Sequence, residues 1–180
     1  MLIDAPRSML IVCDLQTRLV PALDDGDATV ERCAWLVDIA ARVGVPVAAT
    51  EHYPQGLGPL VEPLRTRLPD TAIGAKNRFS AVAAGCLDTL PGRDRAQVVM
   101  VGAEAHVCVL QTSLDLVRAG REVYVVADCV TSRRAADREL ALARLRAEGV
   151  RIVSREMVAF EWLGEGGTPL FREICRDFLR

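Results

Sequence analysis

The chain has 180 residues, of which 51% are hydrophobic and 26% charged, an ordinary globular mix that excludes a disordered polar tail. Its 22 Lys and Arg against 24 Asp and Glu leave a formal net charge of -2, so no field of one sign is available to hold a phosphate backbone. Aromatics at 4% leave little for a base-stacking platform. The length predicts one domain over 1–180, able to bury a core without metal or disulfide staples. No apolar run approaches the ~20 residues of a membrane span. The start, Met1-Leu2-Ile3-Asp4, has no basic region leading into an apolar one. The expectation is a cytoplasmic protein with neither nucleic-acid nor membrane partners. Six cysteines without a CxxC pair read as free thiols.

Taken in order, SMLIVC at 8–13 is a continuous apolar run rich in β-branched residues, the pattern of a strand covered on both faces. Residues 28–43 carry Val30, Ala34, Val37 and Ala41 on a helical period, with Gly44 as the stop. A second strand is predicted at 45–49. The stretch 53–69, rich in Pro and Gly, reads as a surface loop with at most a short helix. Residues 71–75 form only a weak strand. Further strands are predicted at 97–101, 122–127 and 150–153, with helices at 107–119 and 135–148 between them. The tail 164–180 opens on a Gly-rich turn and ends in a short amphipathic helix. Strand and helix alternating at this spacing predict an α/β fold: a three-layer, doubly wound, mainly parallel sheet of Rossmann-like type.

In such a sheet, sites form beyond the carboxyl ends of the strands. The residues to interrogate are therefore Asp14, then Thr50-Glu51-His52, then 102–108, then Asp128-Cys129. Cys108 follows a buried strand by a short turn and opens a helix. The helix dipole and free N–H groups there favour a thiolate and can receive an oxyanion. The same position also suits a small buried hydrophobe. Asp14 ends the first strand, where a carboxylate can take a proton from a thiol or simply cap a turn. Lys76 is the only lysine in the chain, against a surface otherwise supplied with arginine. It can hold Asp14 and a thiolate electrostatically, or lie solvated.

Three segments in register, Cys-Asp-Leu-Gln at 13–16, Ala-Lys-Asn-Arg-Phe-Ser at 75–80 and Gly-Ala-Glu-Ala-His-Val-Cys-Val-Leu-Gln-Thr at 102–112, resemble the isochorismatase-like cysteine hydrolases. Val-Ala-Asp-Cys-Val-Thr-Ser-Arg at 126–133 and Ser-Arg-Glu-Met-Val-Ala-Phe-Glu at 154–161 extend the resemblance to the uncharacterised isochorismatase-domain branch, over essentially the whole chain. The resemblance implies an Asp-Lys-Cys triad at Asp14, Lys76 and Cys108. It also implies a cis peptide between Ala103 and Glu104, which turns the Glu104 N–H toward that of Cys108 as an oxyanion hole. The implied activity is hydrolysis of a small amide, imide or ester through a thioester on Cys108.

The chain departs from the metal-dependent nicotinamidases of that superfamily. It has two histidines in all, His52 and His106, and Thr-Glu-His after the second strand in place of an Asp-x-His pattern. No catalytic metal and no cofactor are therefore expected. His52 reads as pocket wall, and His106 as a residue that orients its turn through hydrogen bonds. The expected substrate pocket is Leu15, Arg18, His52, Tyr53, Phe79 and Glu104, a mixed wall that fits a small molecule. Gly56-Leu57-Gly58 lacks the third glycine of a dinucleotide fingerprint, and no P-loop is present. Arg133, Arg134 and Arg138 read as a solvated helix face pairing with Asp137 and Glu139. The resemblance implies a homo-oligomer, dimer or higher, with apolar residues at 157–162 available to it. Two other readings stand beside the cysteine hydrolase: an enzyme of the same fold cleaving a vinyl ether, and a non-catalytic oligomeric binding module.

Overall fold

The computed structural model describes residues 1–179. Six strands form one sheet: β1 (Ser8–Cys13), β2 (Val47–His52), β3 (Ile73–Lys76), β4 (Gln97–Ala103), β5 (Glu122–Thr131) and β6 (Arg151–Val153). They lie in the order β3-β2-β1-β4-β5-β6, and every neighbouring pair is parallel. The helices are α1 (Gly26–Val43), the single turns α2 (Pro54–Leu57) and α3 (Glu62–Arg65), then α4 (Leu110–Arg118), α5 (Ala135–Ala147), α6 (Arg155–Leu163) and α7 (Pro169–Phe178).

Two apolar clusters sandwich the sheet, and strand alternation assigns residues to each. Leu10 and Val12 of β1, Val99 and Val101 of β4 and Tyr124 and Val126 of β5 face α1, α6 and α7, where Leu36, Ile39, Trp162 and Ile174 meet them. Met9, Ile11, Val98, Met100, Val123 and Val125 face α4 and α5, where Leu116 and Leu145 meet them. Each such aliphatic side chain taken fully from water is worth about 1.5–3 kcal/mol. This accounts for the unbroken apolar runs of β1 and β4, all of whose residues are buried. The three-layer, doubly wound arrangement expected from the sequence is the one observed.

Several boundaries differ, each for a local reason. The weak strand is real: β3 is a four-residue edge strand, so only one side of it is paired and its apolar content is low. β2 runs through His52, past the apolar residues that announce it. β5 runs through Thr131, so Asp128 and Cys129 lie inside it and not beyond its end; its register against β4 shifts between Met100 and Gly102, a bulge that periodicity does not signal. The 53–69 segment holds the two single turns α2 and α3 and is sewn to the loop after β1. Thr17 N donates to Pro59 O (2.9 Å), Arg18 N to Leu57 O (3.0 Å) and Val61 N to Leu15 O (2.9 Å). Helix α6 has no counterpart in the predicted elements; Ser154 caps it by accepting from Met157 N at 3.2 Å. All six cysteines are free.

β1 and β4 sit side by side at the centre, where the chain order of the sheet reverses, so the loops leaving their ends part and open a crevice. Gly102 permits the close approach of the two strands at that point. Its φ is +111°, and a Cβ there would lie 2.1 Å from the Cys13 carbonyl oxygen. Gly102→Ala is expected to lower unfolding free energy by about 3 kcal/mol, from steric overlap plus an unfavourable φ. Denaturant unfolding with unchanged m-value is the check.

Candidate active site

The crevice is a cleft of about 370 Å³ lined by Asp14, Leu19, Ala22, His52, Leu57, Phe79, Ala103, Glu104, Val107, Cys108 and Arg133. Asp14 stands immediately after β1 with a φ of 47°, a left-handed conformation that Asp tolerates better than most residues. This turn aims its carboxylate into the crevice and sends Leu15 back into the core. Lys76 is the last residue of β3, two strands away, paired in register with His52. Two strand spacings are about 9–10 Å, and the long lysine stem spans them to bring Nζ within 2.6 Å of Asp14 Oδ2. Thr50, on the intervening β2, donates to Asp14 Oδ1 at 2.6 Å. Both oxygens of the carboxylate thus have a donor, and the ion pair is shut from water, with side-chain exposures of 0% for Lys76 and 1% for Asp14.

Cys108 lies in a π-helical turn, Ala105–Val109, that joins β4 to α4. The Glu104 carbonyl holds this turn by accepting from Val107 N (3.0 Å) and Val109 N (3.2 Å). The Ala103–Glu104 peptide is cis. Cys108 is buried apart from the face it shows to the cleft, with an exposure of 5%. Burial works against the Lys76 ammonium, yet Cys13, Asp14 and Cys108 facing it, with the hydrogen bond to Asp14, hold its pKa above the ordinary 10.5. Burial and the nearby Lys76 charge push the His52 imidazole below its usual value, so it is neutral at pH 7. The His52 ring leans on Phe79, with centroids 5.2 Å apart, and Gln16 clamps its backbone from both sides (Gln16 Nε2 to His52 O, 3.0 Å; His52 N to Gln16 Oε1, 2.8 Å). His106 Nδ1 hydrogen-bonds Ser132 Oγ at 2.9 Å, tying the turn to the end of β5.

Of the expected triad residues, Asp14 and Cys108 line the same cleft, and Lys76, which is not part of the cleft surface, is paired with Asp14. Of the expected pocket wall, His52, Phe79 and Glu104 line the cleft. Leu15, Arg18 and Tyr53 do not. Leu15 is fully buried in the core; Arg18 is turned outward to the Gly56 carbonyl (3.1 Å); Tyr53, with φ 41°, is 52% exposed. The arginine cluster also reads differently. Arg133 Nε pairs with Glu104 Oε2 at 2.8 Å and joins the cleft mouth, and Arg138 donates to the Val130 carbonyl (2.9 Å). The expected partners on a solvated helix face are not the ones they take. Thr50 stands among the strand-end residues to interrogate but is given no role there; its hydroxyl bond to Asp14 is the part that sequence reasoning missed. Among the described residues, no group of three or more His, Cys, Asp or Glu side chains is placed to hold a metal ion, and no helix is long and apolar enough to cross a membrane.

The family model for the isochorismatase domain matches residues 8–157. Mouse isochorismatase domain-containing protein 2A is 36% identical over 168 residues, covering 93% of this chain and 80% of the relative; the human isochorismatase domain-containing protein 2 is 37% identical over 169 residues with the same coverage. Among solved structures, the MAR1 ribonuclease of Caenorhabditis elegans superposes with a TM-score of 0.89 at 33% identity, over 100% of this chain and 93% of that one. YcaC of Escherichia coli, described as an octameric hydrolase of unknown specificity, superposes with a TM-score of 0.86 at 23% identity, over 92% and 83% of the two chains. With the domain model spanning most of its length and relatives above 30% identity covering nearly all of it, the chain belongs to the isochorismatase family.

Proposed function

We propose that the protein is a cysteine hydrolase of small amides, imides or esters, with Cys108 as nucleophile, Asp14 as proton acceptor and donor, and Lys76 as the cation that holds both anions. The observation that carries this reading is the buried Asp14–Lys76 pair at 2.6 Å opening onto the cleft that Cys108 lines. In the first half-reaction Asp14 takes the thiol proton and the Cys108 sulfur attacks the carbonyl carbon. The N–H groups of Glu104 and Cys108 receive the oxyanion. As the C–N or C–O bond breaks, the amine or alcohol leaves with the proton from Asp14 and a thioester remains. Water, giving a proton to Asp14, attacks the thioester; the acid departs and the sulfur returns to its starting state. Leu19, Leu57, Phe79 and Val107 supply an apolar wall that fits a compact substrate, with Arg133 at the mouth.

Self-association belongs to the same proposal. Met157 and Phe160 on α6 are 48% and 45% exposed, and the E. coli YcaC structure is an octamer. Sedimentation of the purified chain is expected to give a dimer or larger species. A Phe160→Glu variant is expected to shift it toward monomer; a wild-type monomer at micromolar concentration counts against self-association.

The experiment for the catalytic reading is a panel of small amides and esters, with an RNA oligonucleotide included because the C. elegans relative is named a ribonuclease. Cys108→Ala is expected to lose about 10⁴-fold or more in turnover while keeping its unfolding transition. Intact-mass spectrometry of the wild type should trap the acyl group on Cys108. Full turnover by Cys108→Ala, or RNA cleavage with no acyl adduct, excludes the covalent route.

Breaking the ion pair is expected to cost far more than removing it. Lys76→Met leaves Asp14 buried without a cation and should destabilise by about 3–5 kcal/mol; Asp14→Asn with Lys76→Met should recover most of that loss, yet both remain inactive. Because the Lys76 pKa is raised on folding, its contribution to stability is complete below about 10.5, the ordinary lysine value, and is lost as pH rises through the higher folded value. Unfolding curves from neutral to strongly alkaline pH, wild type against the double variant, check this sign.

A further inference from the structure

The charges around the cleft cancel in pairs. Asp14 is satisfied from within the fold: Lys76 Nζ stands 2.6 Å from its Oδ2, and the Thr50 hydroxyl donates to its Oδ1 at 2.6 Å. The Lys76 side chain is 0% exposed, so a molecule in the cleft cannot reach it. At the mouth, Glu104 Oε2 accepts from Arg133 Nε at 2.8 Å and from the Arg133 backbone N at 3.1 Å. The Glu104 side chain is 11% exposed and that of Arg133 59%, so the acid is the more deeply set of the two. His52 is neutral at pH 7. Among the described residues that line the cleft, only Cys108 is left as an ionisable side chain. Arg18, the basic residue of the neighbouring loop, is turned outward to the Gly56 carbonyl.

We propose that the part of the substrate that enters this cleft is uncharged: a small neutral amide, imide or ester, with no carboxylate, ammonium or phosphate beside the reacting carbon. This inference rests on the cysteine-hydrolase reading. The rest of the wall is Leu19, Ala22, Leu57, Phe79, Ala103 and Val107. A charged group set against these side chains loses water and gains no counter-ion, unless it displaces a partner already held at 2.8 Å or less. A neutral amide asks far less. Its carbonyl oxygen takes the backbone N–H groups proposed for the oxyanion, and its apolar part takes the apolar wall. The proposed chemistry preserves the balance. Passing the thiol proton from Cys108 to Asp14 moves a charge within the site and leaves its sum with Lys76 unchanged. RNA is the opposite case, since a phosphodiester brings its own charge to the reacting atom and both cations are already engaged.

The test needs no known substrate. Iodoacetamide and iodoacetate have nearly the same shape and differ in charge, and hydroxyethyl and aminoethyl methanethiosulfonate are the corresponding neutral and cationic pair. Rates of modification at Cys108 are read by peptide mass spectrometry at neutral pH. Each pair's ratio is divided by its ratio toward mercaptoethanol, which removes the intrinsic difference between reagents. Wild type is expected to favour the neutral member of each pair by about tenfold. Glu104→Gln leaves the Arg133 guanidinium unpaired and should erase most of the iodoacetate penalty. Arg133→Gln bares Glu104 and should erase the aminoethyl penalty while deepening that of iodoacetate. Because each ratio is taken within one protein, a change in the reactivity of the sulfur cancels; thermal unfolding checks that each variant is folded, and the wild-type ratios alone decide the proposal if one is not. Charged reagents that modify wild-type Cys108 as fast as neutral ones on this scale overturn the neutral substrate class and leave the hydrolase reading standing. Penalties that both variants leave unmoved overturn the part given to the Glu104–Arg133 pair. A Cys108 that none of these reagents modifies in the folded chain overturns the nucleophile itself, and the substrate class falls with it.

Discussion

The cleft is organised by two opposite charges, Asp14 and Lys76, sealed from water. Removing a carboxylate and an ammonium from water costs several kcal/mol each, and their attraction does little more than offset it. Thr50 completes the arrangement by satisfying the second carboxylate oxygen. A pair of this kind adds little net stability over apolar residues of the same volume, so its presence beside a cleft is better explained by what it does to a neighbouring group. The neighbour is the Cys108 sulfur, which lines the same cleft as Asp14 and on which the proposed reaction turns.

The sheet order is what makes this meeting possible. Asp14 and Cys108 leave β1 and β4, which are adjacent in space although far apart in the chain, at the point where the sheet begins to wind the other way. Lys76 comes from the far edge of the sheet, and Thr50 from the strand in between. The groups that would perform chemistry thus stand on strand ends or on a turn held by its own carbonyl. The groups that would touch a substrate, Leu19, Leu57 and Phe79, come from loops and from the single turn α2. Loop residues can change with little effect on the strands beneath, which separates what a cleft accepts from how it reacts.

Most of this architecture was legible in the sequence because the buried parallel strands write themselves as continuous apolar runs and the long helices end on glycine, as Gly44 does with φ 74° after α1. The candidate residues were legible too, since strand-end positions can be found once the strands are known. What escaped was tertiary. The edge strand β3, four residues long, announces itself only weakly, and nothing local shows that its Lys76 reaches Asp14 two strands away. The bulge in β5 moves Asp128 and Cys129 into the sheet and carries Arg133 on to the cleft mouth, where its partner is Glu104, 29 positions away. The positive φ of Asp14 and Tyr53 redirects Leu15 and Tyr53 away from the cleft. Each of these depends on backbone geometry or on a distant partner that no local window contains.

The burial of Lys76 also shapes how the whole molecule meets its surroundings. It is the sole lysine of the chain, and its side chain has no exposed surface. Every other cationic side chain carries a guanidinium, too weakly nucleophilic at neutral pH for acylation. The folded surface therefore presents no side-chain amine for acetylation, for isopeptide attachment or for aldehyde fixation. Any amine tag that does arrive on this lysine marks a molecule that has opened, which makes the residue an internal reporter of unfolding.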